Sequence, residues 1–167
     1  MSASDLSNLA LTYVVTYGAV ALGLLVMLAA IGAPLPSTFL VLASGAFVQQ
    51  GVLEMYSTIA ITLAFVVLGD VTSYGMGRLL RRPILARFGG SAAWLRAEAY
   101  FAKRGALAVF LTRCLLTPIA VPINLIAGSS GYSTMRFASF AAAGELSWLL
   151  CYGGLGYAFG SQWEAIS

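Results

Sequence analysis

The sequence predicts an all-α integral membrane protein: an N-terminal transmembrane helix, then an inverted repeat of a re-entrant hairpin plus a transmembrane helix. Three observations carry this. Of 167 residues, 60% are hydrophobic and only 9% charged, against roughly 25% charged in soluble domains, and the mean hydropathy is +0.89. Apolar runs follow one another with no polar linker, so the chain reads as a single domain. Prolines break two of these runs into pieces too short to cross a bilayer.

The first element is Leu9–Ile31. It is longer than the apolar part of a signal peptide and lacks Lys or Arg before it, so a retained transmembrane helix over 9–31 is expected. Pro34 and Pro36 follow, and the apolar stretch beyond them ends at Gly51. A re-entrant hairpin over 34–51 accounts for this length, its irregular backbone covered by protein or lining a wet cavity. Residues 55–77 then make a full span.

Seven of the nine basic residues fall in the next stretch: Arg78, Arg81, Arg82, Arg87, Arg96, Lys103 and Arg104. Cytoplasmic loops concentrate Lys and Arg, which places 78–104 inside the cell. From Ser91 to Arg104, Trp94, Ala97 and Phe101 recur at helical spacing opposite Arg96 and Lys103. That pattern fits an amphipathic helix on the inner leaflet, or simply a topogenic loop.

Beyond the basic loop the pattern returns. The 107–131 stretch is a second hairpin, broken at Pro118 and Pro122, and 134–159 is a third span. Pro36–Gly45 and Pro122–Gly131 have equal length, and Tyr-Ser-Thr follows each at Tyr56 and Tyr132. Gly69-Asp70 and Gly144-Glu145 then fall at similar places in the spans. With the basic loop inside, the two units run in opposite directions, as in secondary transporters whose site lies where paired breaks meet.

Intramembrane charge carries the functional reading. Asp70 lies about 12 Å from Arg78 along a helix, and Glu145 about 13 Å past Arg136, both near the middle of a core about 30 Å thick. Arg113 sits in the apolar run before Pro118, cannot shed its charge, and needs Asp70, Glu145 or an anionic ligand group as partner. The alternative is a buried ion pair that fixes helix register. Tyr74 and Trp148 are further lining candidates, each explicable as an interfacial aromatic or a helix contact, and Asn124, two residues past Pro122, is placed to bond freed backbone groups or a substrate.

Chemistry is poorly served. There is no His, and Cys114 and Cys151 are the only cysteines, so a metal site, a cofactor or a nucleophile–base set is not expected. The chain is read as no enzyme.

Several ordered motifs resemble the DedA family of bacterial inner-membrane proteins, which shares the VTT domain with eukaryotic scramblases. They are Pro34-Leu35-Pro36, Gly69-Asp70 through Gly77-Arg78, Phe101 to Gly105 leading to Leu111-Thr112-Arg113, Ala127-Gly128, Arg136-Phe137, and Gly144-Glu145 to Trp148. The resemblance implies paired re-entrant hairpins, an inner-membrane location and lipid translocation, with undecaprenyl phosphate or a phospholipid as cargo. It also puts Asp70, Arg78 and Arg113 on the family's acidic and basic positions. Departures are Ala29, Ser37 and Thr38 where the family carries acids, and Ile119 and Ala120 where a second Arg is common.

The expected function is therefore a flippase or scramblase, with proton coupling open. A proton-coupled transporter of a small anion and a non-transporting assembly protein are the alternatives. Membrane lipids with anionic head groups are the expected partners, with protons and a second copy of the chain as further candidates. Nucleic acid is not expected.

Overall fold

The computed structural model describes residues 3–88, 90, 92–114 and 117–163. Among them every regular element is helical: α1 Ala3–Ile31, broken by a kink at Gly18 (φ 68°), α2 Ser37–Gln49, α3 Met55–Leu79, α4 Arg81–Phe88, α5 Ala92–Cys114, α6 Ala120–Ser129 and α7 Thr134–Trp163. A short 3-10 turn, Thr117–Ile119, links α5 to α6. Two helices are long and apolar enough to cross a membrane, Leu11–Ile31 in α1 and all of α3. Along them Leu24, Leu28 and Leu68 stand exposed, as a helix facing hydrocarbon rather than water allows.

Helix boundaries follow local chemistry. Glu54 starts α3: its carboxylate accepts the N–H groups of Tyr56 (3.0 Å) and Ser57 (2.6 Å), which otherwise lack partners at a helix start. Hydrogen bonds from the Ser57 side chain, then from the Ser57 and Tyr56 backbone, hold that carboxyl below the usual carboxylate range. Helices α2 and α6 end alike. Gly51 (φ 74°) donates to the Val48 carbonyl and Val52 to that of Phe47; Gly131 (φ 77°) donates to Gly128 and Tyr132 to Ala127. This closing motif needs a left-handed residue, which glycine supplies without strain.

The two proline-broken stretches differ from expectation in layout. Residues 34–51 hold one helix rather than two arms, since Pro34 lies in the non-helical link and Pro36 is the N-cap of α2. No second break follows within 34–51, and α2 packs against α1 as well as α7. In the second stretch Pro118 lies in the 3-10 turn, while Pro122 sits in the first turn of α6, where its missing N–H costs nothing. The division between a basic loop ending at 104 and a hairpin starting at 107 is also absent: α5 runs unbroken across it. Gly105 is the one residue there that could interrupt a helix, and its neighbours Phe101 and Tyr132 pack too tightly to leave room for a Cβ. Ser91 lies outside the described residues, as do the side chains of Trp94, Arg96 and Ala97; Phe101 is buried, with Lys103 and Arg104 exposed.

The chain divides into two compact units. Unit 1 comprises Met1–Val66 and Leu146–Ser167; unit 2 is Val67–Glu145. Unit 1 thus holds α1, α2, the start of α3 and the end of α7, and its buried core includes Leu22, Val26, Leu40 and Val41. Unit 2 holds α4, α5, α6, the end of α3 and the start of α7, around Tyr74, Phe101, Val109, Ala127, Phe137 and Ala141.

Each unit is pinned by the same kind of contact. In unit 1 a Cβ on Gly45 would lie 2.0 Å from the Gly153 carbonyl oxygen, and one on Gly156 would lie 1.8 Å from that of Leu42. In unit 2 a Cβ on Gly128 would lie 2.0 Å from the Tyr74 oxygen, and one on Gly77 would lie 2.2 Å from that of Leu125. In each unit the short helix and the long one therefore touch backbone to backbone through one glycine each, at matching three-residue intervals. This register pairs Gly45 with Gly128 and Gly77 with Gly156, whereas the sequence likeness pairs Gly45 with Gly131. The helix-ending glycines are Gly51 and Gly131, and α2 runs one turn further past its contact glycine than α6 does.

Gly128→Ala should therefore lower the unfolding midpoint of the purified protein, by about 1–3 kcal/mol of overpacking or more. Gly75→Ala, whose Cβ meets nothing within 4 Å, should be neutral or slightly stabilising. Equal midpoints for the two variants in detergent would refute the contact.

Candidate functional site

Inside unit 2, α3, α5, α6 and α7 bring together five polar side chains separated widely in sequence. Asp70 (1% exposed), Ser73, Arg113 and Asn124 (each 0%) are fully buried, and Glu145 is nearly so at 7%. Arg113 grips Asp70 with a fork: Nη2 lies 2.9 Å from Oδ1 and Nε 3.2 Å from Oδ2. Nη2 also donates to Asn124 Oδ1. Nη1 donates to Thr112 Oγ1 (2.9 Å) and reaches the Val109 carbonyl at 3.5 Å. Nε lies 3.5 Å from Glu145 Oε1, the longest ionic contact of the set.

Each of the three guanidinium nitrogens thus has a protein hydrogen-bond acceptor, as an ion held out of water requires. Asn124 closes the ring from the other side, donating through Nδ2 to Asp70 Oδ1 (2.9 Å) and to Ser73 Oγ (2.7 Å). The hydroxyls of Ser73 and Thr112 donate to the carbonyls of Asp70 and Val109. Phe137 lies beneath the guanidinium, its ring centre 5.7 Å from Cζ. Gly144 makes room for the arginine, since a Cβ there would come within 2.9 Å of the Arg113 Cβ.

A second polar group lies at the exposed end of α3. Arg78 Nη1 donates to Tyr74 Oη (3.0 Å) and Thr134 Oγ1 (3.1 Å), and Tyr74 Oη donates to the Tyr132 carbonyl. The Tyr74 ring stacks on Phe137, centres 4.6 Å apart. Tyr74 and Phe137 thus form a buried bridge between this group and Arg113.

Of the residues expected to form a site, Asp70, Arg113, Glu145 and Asn124 converge, with Tyr74 and Arg78 in the adjoining group. Trp148 belongs to unit 1, where it is buried near Tyr152 (ring centres 6.2 Å apart) with its indole N–H unpartnered. The sequence reading missed Ser73, Thr112 and Phe137. Ser73 and Thr112 are hydroxyls beside the two charges within apolar runs, a signal present but common; the place of Phe137 under Arg113 has no local signature.

A family model for the VTT domain matches residues 35–158. This chain is a VTT-domain protein of the DedA family. The Inner membrane protein YghB of Escherichia coli (strain K12) is 32% identical to it over 133 residues, 74% of this chain and 58% of that protein. YghB of Escherichia coli O6:H1 matches to the same degree. A protein of Lactococcus lactis subsp. cremoris named alkaline phosphatase-like protein is 29% identical over 161 residues, 90% of this chain and 75% of its own. The VTT-domain chain spans a little under three fifths of the YghB length. No solved structure matches it.

The network sets a hierarchy of substitution costs. Arg113→Ala strands two acids and should cost about 3–5 kcal/mol; Asn124→Ala leaves single bonds unmade, about 1–3 kcal/mol. Arg78→Ala, at an exposed position, should stay within about 1 kcal/mol. Unfolding in detergent tests the order, and an Arg113→Ala protein as stable as the parent would refute the network's role.

Proposed function

We propose that this VTT-domain protein translocates lipids across the bacterial inner membrane, as a flippase or scramblase, with the buried charge network as its responsive element. The architecture in the membrane would be an inverted pair of re-entrant segments. At 13 and 10 residues, α2 and α6 reach about 20 Å and 15 Å, short of a core about 30 Å thick. The basic stretch 78–104 would face the cytoplasm.

The single observation that carries the reading is the closed, buried network of Asp70, Arg113, Asn124 and Glu145. One guanidinium faces two carboxylates, so the formal charge is −1 with both ionised and zero with one proton bound. Glu145 is the more accessible acid and holds Arg113 by the longer contact. It is the group that would take up a proton, or yield its place to an anionic head group, while Asp70 keeps the fork. Covalent chemistry, which the name of the Lactococcus relative evokes, finds little support. The buried hydroxyls beside the charges donate to backbone carbonyls rather than to a base.

The saturated guanidinium favours one further reading, a register lock with no part in transport. Liposomes carrying labelled lipid, with and without a pH gradient, separate the two. Glu145→Gln keeps the shape of the site but cannot exchange a proton, so flux should lose its dependence on the gradient while folded yield is kept. Exchanging the pair, Asp70→Arg with Arg113→Asp, should restore folding in a lock yet leave flux lost in a transporter. Protein that moves no labelled lipid under any condition would end the translocation reading.

Orientation is tested separately. A single cysteine replacing exposed Lys103 should react with an impermeant maleimide only when the cytoplasmic face is open. Labelling from the periplasm of intact cells would reverse the proposed topology.

A further inference from the structure

Unit 1 contains a cavity of about 190 Å³ that the charge network does not involve. Its walls come from α1, α2, the start of α3 and the end of α7, with Val41, Val48, Ile59 and Leu149 among them. Apolar cavities of about 150 Å³ stay dry and accept small hydrocarbons, so this one has room for several carbons of a chain. It opens at the surface beside Met55, Leu150 and Tyr157, which are 42%, 54% and 50% exposed.

Besides Tyr157 at the mouth, three aliphatic hydroxyls line it. Ser44 Oγ donates to the Val41 carbonyl (2.8 Å) and Thr58 Oγ1 to that of Glu54 (2.6 Å), the usual arrangement within a helix. Thr62 differs: it is 0% exposed and its hydroxyl has no hydrogen-bond partner. A buried hydroxyl left unpaired is costly, and hydrocarbon offers no water to satisfy it. Thr62 lies about 10 Å along α3 from Met55, below the depth of lipid head groups.

We infer that this cavity binds the acyl chain of a glycerolipid, whose ester carbonyl accepts a hydrogen bond from Thr62 once the entering chain displaces the side chains that now cover the hydroxyl. The occupant follows from the lining: an apolar chain for the walls, one acceptor without charge for the hydroxyl, and an entrance among exposed, largely apolar side chains. A lipid held this way sits deeper than in the undisturbed leaflet, as one partway across would. The inference deepens the translocation reading and rests on it for the lipid's movement, not for its binding.

The test uses the full chain in phosphatidylethanolamine–phosphatidylglycerol vesicles doped with a phospholipid carrying a photoreactive diazirine in its acyl chain. A diester probe and a chain-matched diether, which lacks the carbonyl, are compared. Labelled peptides should map to 41–62 and 149–157, with the diester labelling about 2- to 10-fold more than the diether. Thr62→Val should fold as well as the parent, since it removes an unpaired hydroxyl, and should abolish the diester preference. Gly154→Leu, whose Cβ meets nothing within 4 Å, should fill the cavity and remove the label. Equal labelling by both probes in the parent protein overturns the inference, as does a preference that survives Thr62→Val. Labelling that follows the pattern without any lipid flux would leave the cavity site standing and sink translocation. Flux without the pattern would do the reverse.

Discussion

Arg113 carries a positive charge out of reach of water, so α5 is stable only where protein acceptors surround the guanidinium. The fork to Asp70 meets this condition by tying α5 to α3, and Asn124 and Glu145 extend the tie to α6 and the start of α7. Most of unit 2 is arranged around that requirement. Gly144 is small because the arginine passes it, Phe137 is flat because it lies beneath the guanidinium, and the Asn124 amide presents oxygen to the cation and nitrogen to the acid.

Backbone contact at glycine is the complementary device. Within a bilayer, apolar side chains gain little by leaving lipid for protein, so close approach and dispersion hold helices together instead. Gly77 and Gly128 bring α3 and α6 near enough for Asn124 to reach Asp70 and Ser73 with one amide. The polar ring and the glycine contact therefore support each other: without the approach Asn124 would fall short, and without the ring the approach would bury unmatched charge.

Much of this was legible in the sequence. Composition fixes the class of protein, and charges within apolar runs single out Asp70, Arg113 and Glu145, because lipid punishes an isolated ion so strongly. Asn124 stood out beside a proline. The pairing of the two halves was less legible. Ser44-Gly45 and Ser130-Gly131 look alike, yet Gly45 is a mid-helix contact and Gly131 ends a helix. A dipeptide cannot say which task its glycine performs, since one depends on a partner helix and the other on local φ. The same limit hid the continuity of α5. Its first half is polar and its second apolar, so periodicity suggests two elements where the backbone makes one. Thr62 gave no signal, because a threonine in an apolar helix normally bonds its own backbone.

The division of the chain between its units has a consequence for biogenesis. Unit 2 is one continuous segment, so all its parts exist once residue 145 has left the ribosome. Unit 1 is not: Gly45 and Leu42 find their backbone partners only in Gly153, Tyr157 and Gly156, at the far end of α7. Until that helix is made and inserted, α2 has lipid, the insertion machinery or a chaperone along its glycine face. Contacts so distant in sequence close late and slowly, so unit 1 should be the last part to mature and the first to suffer when synthesis stops short of the C-terminal turns.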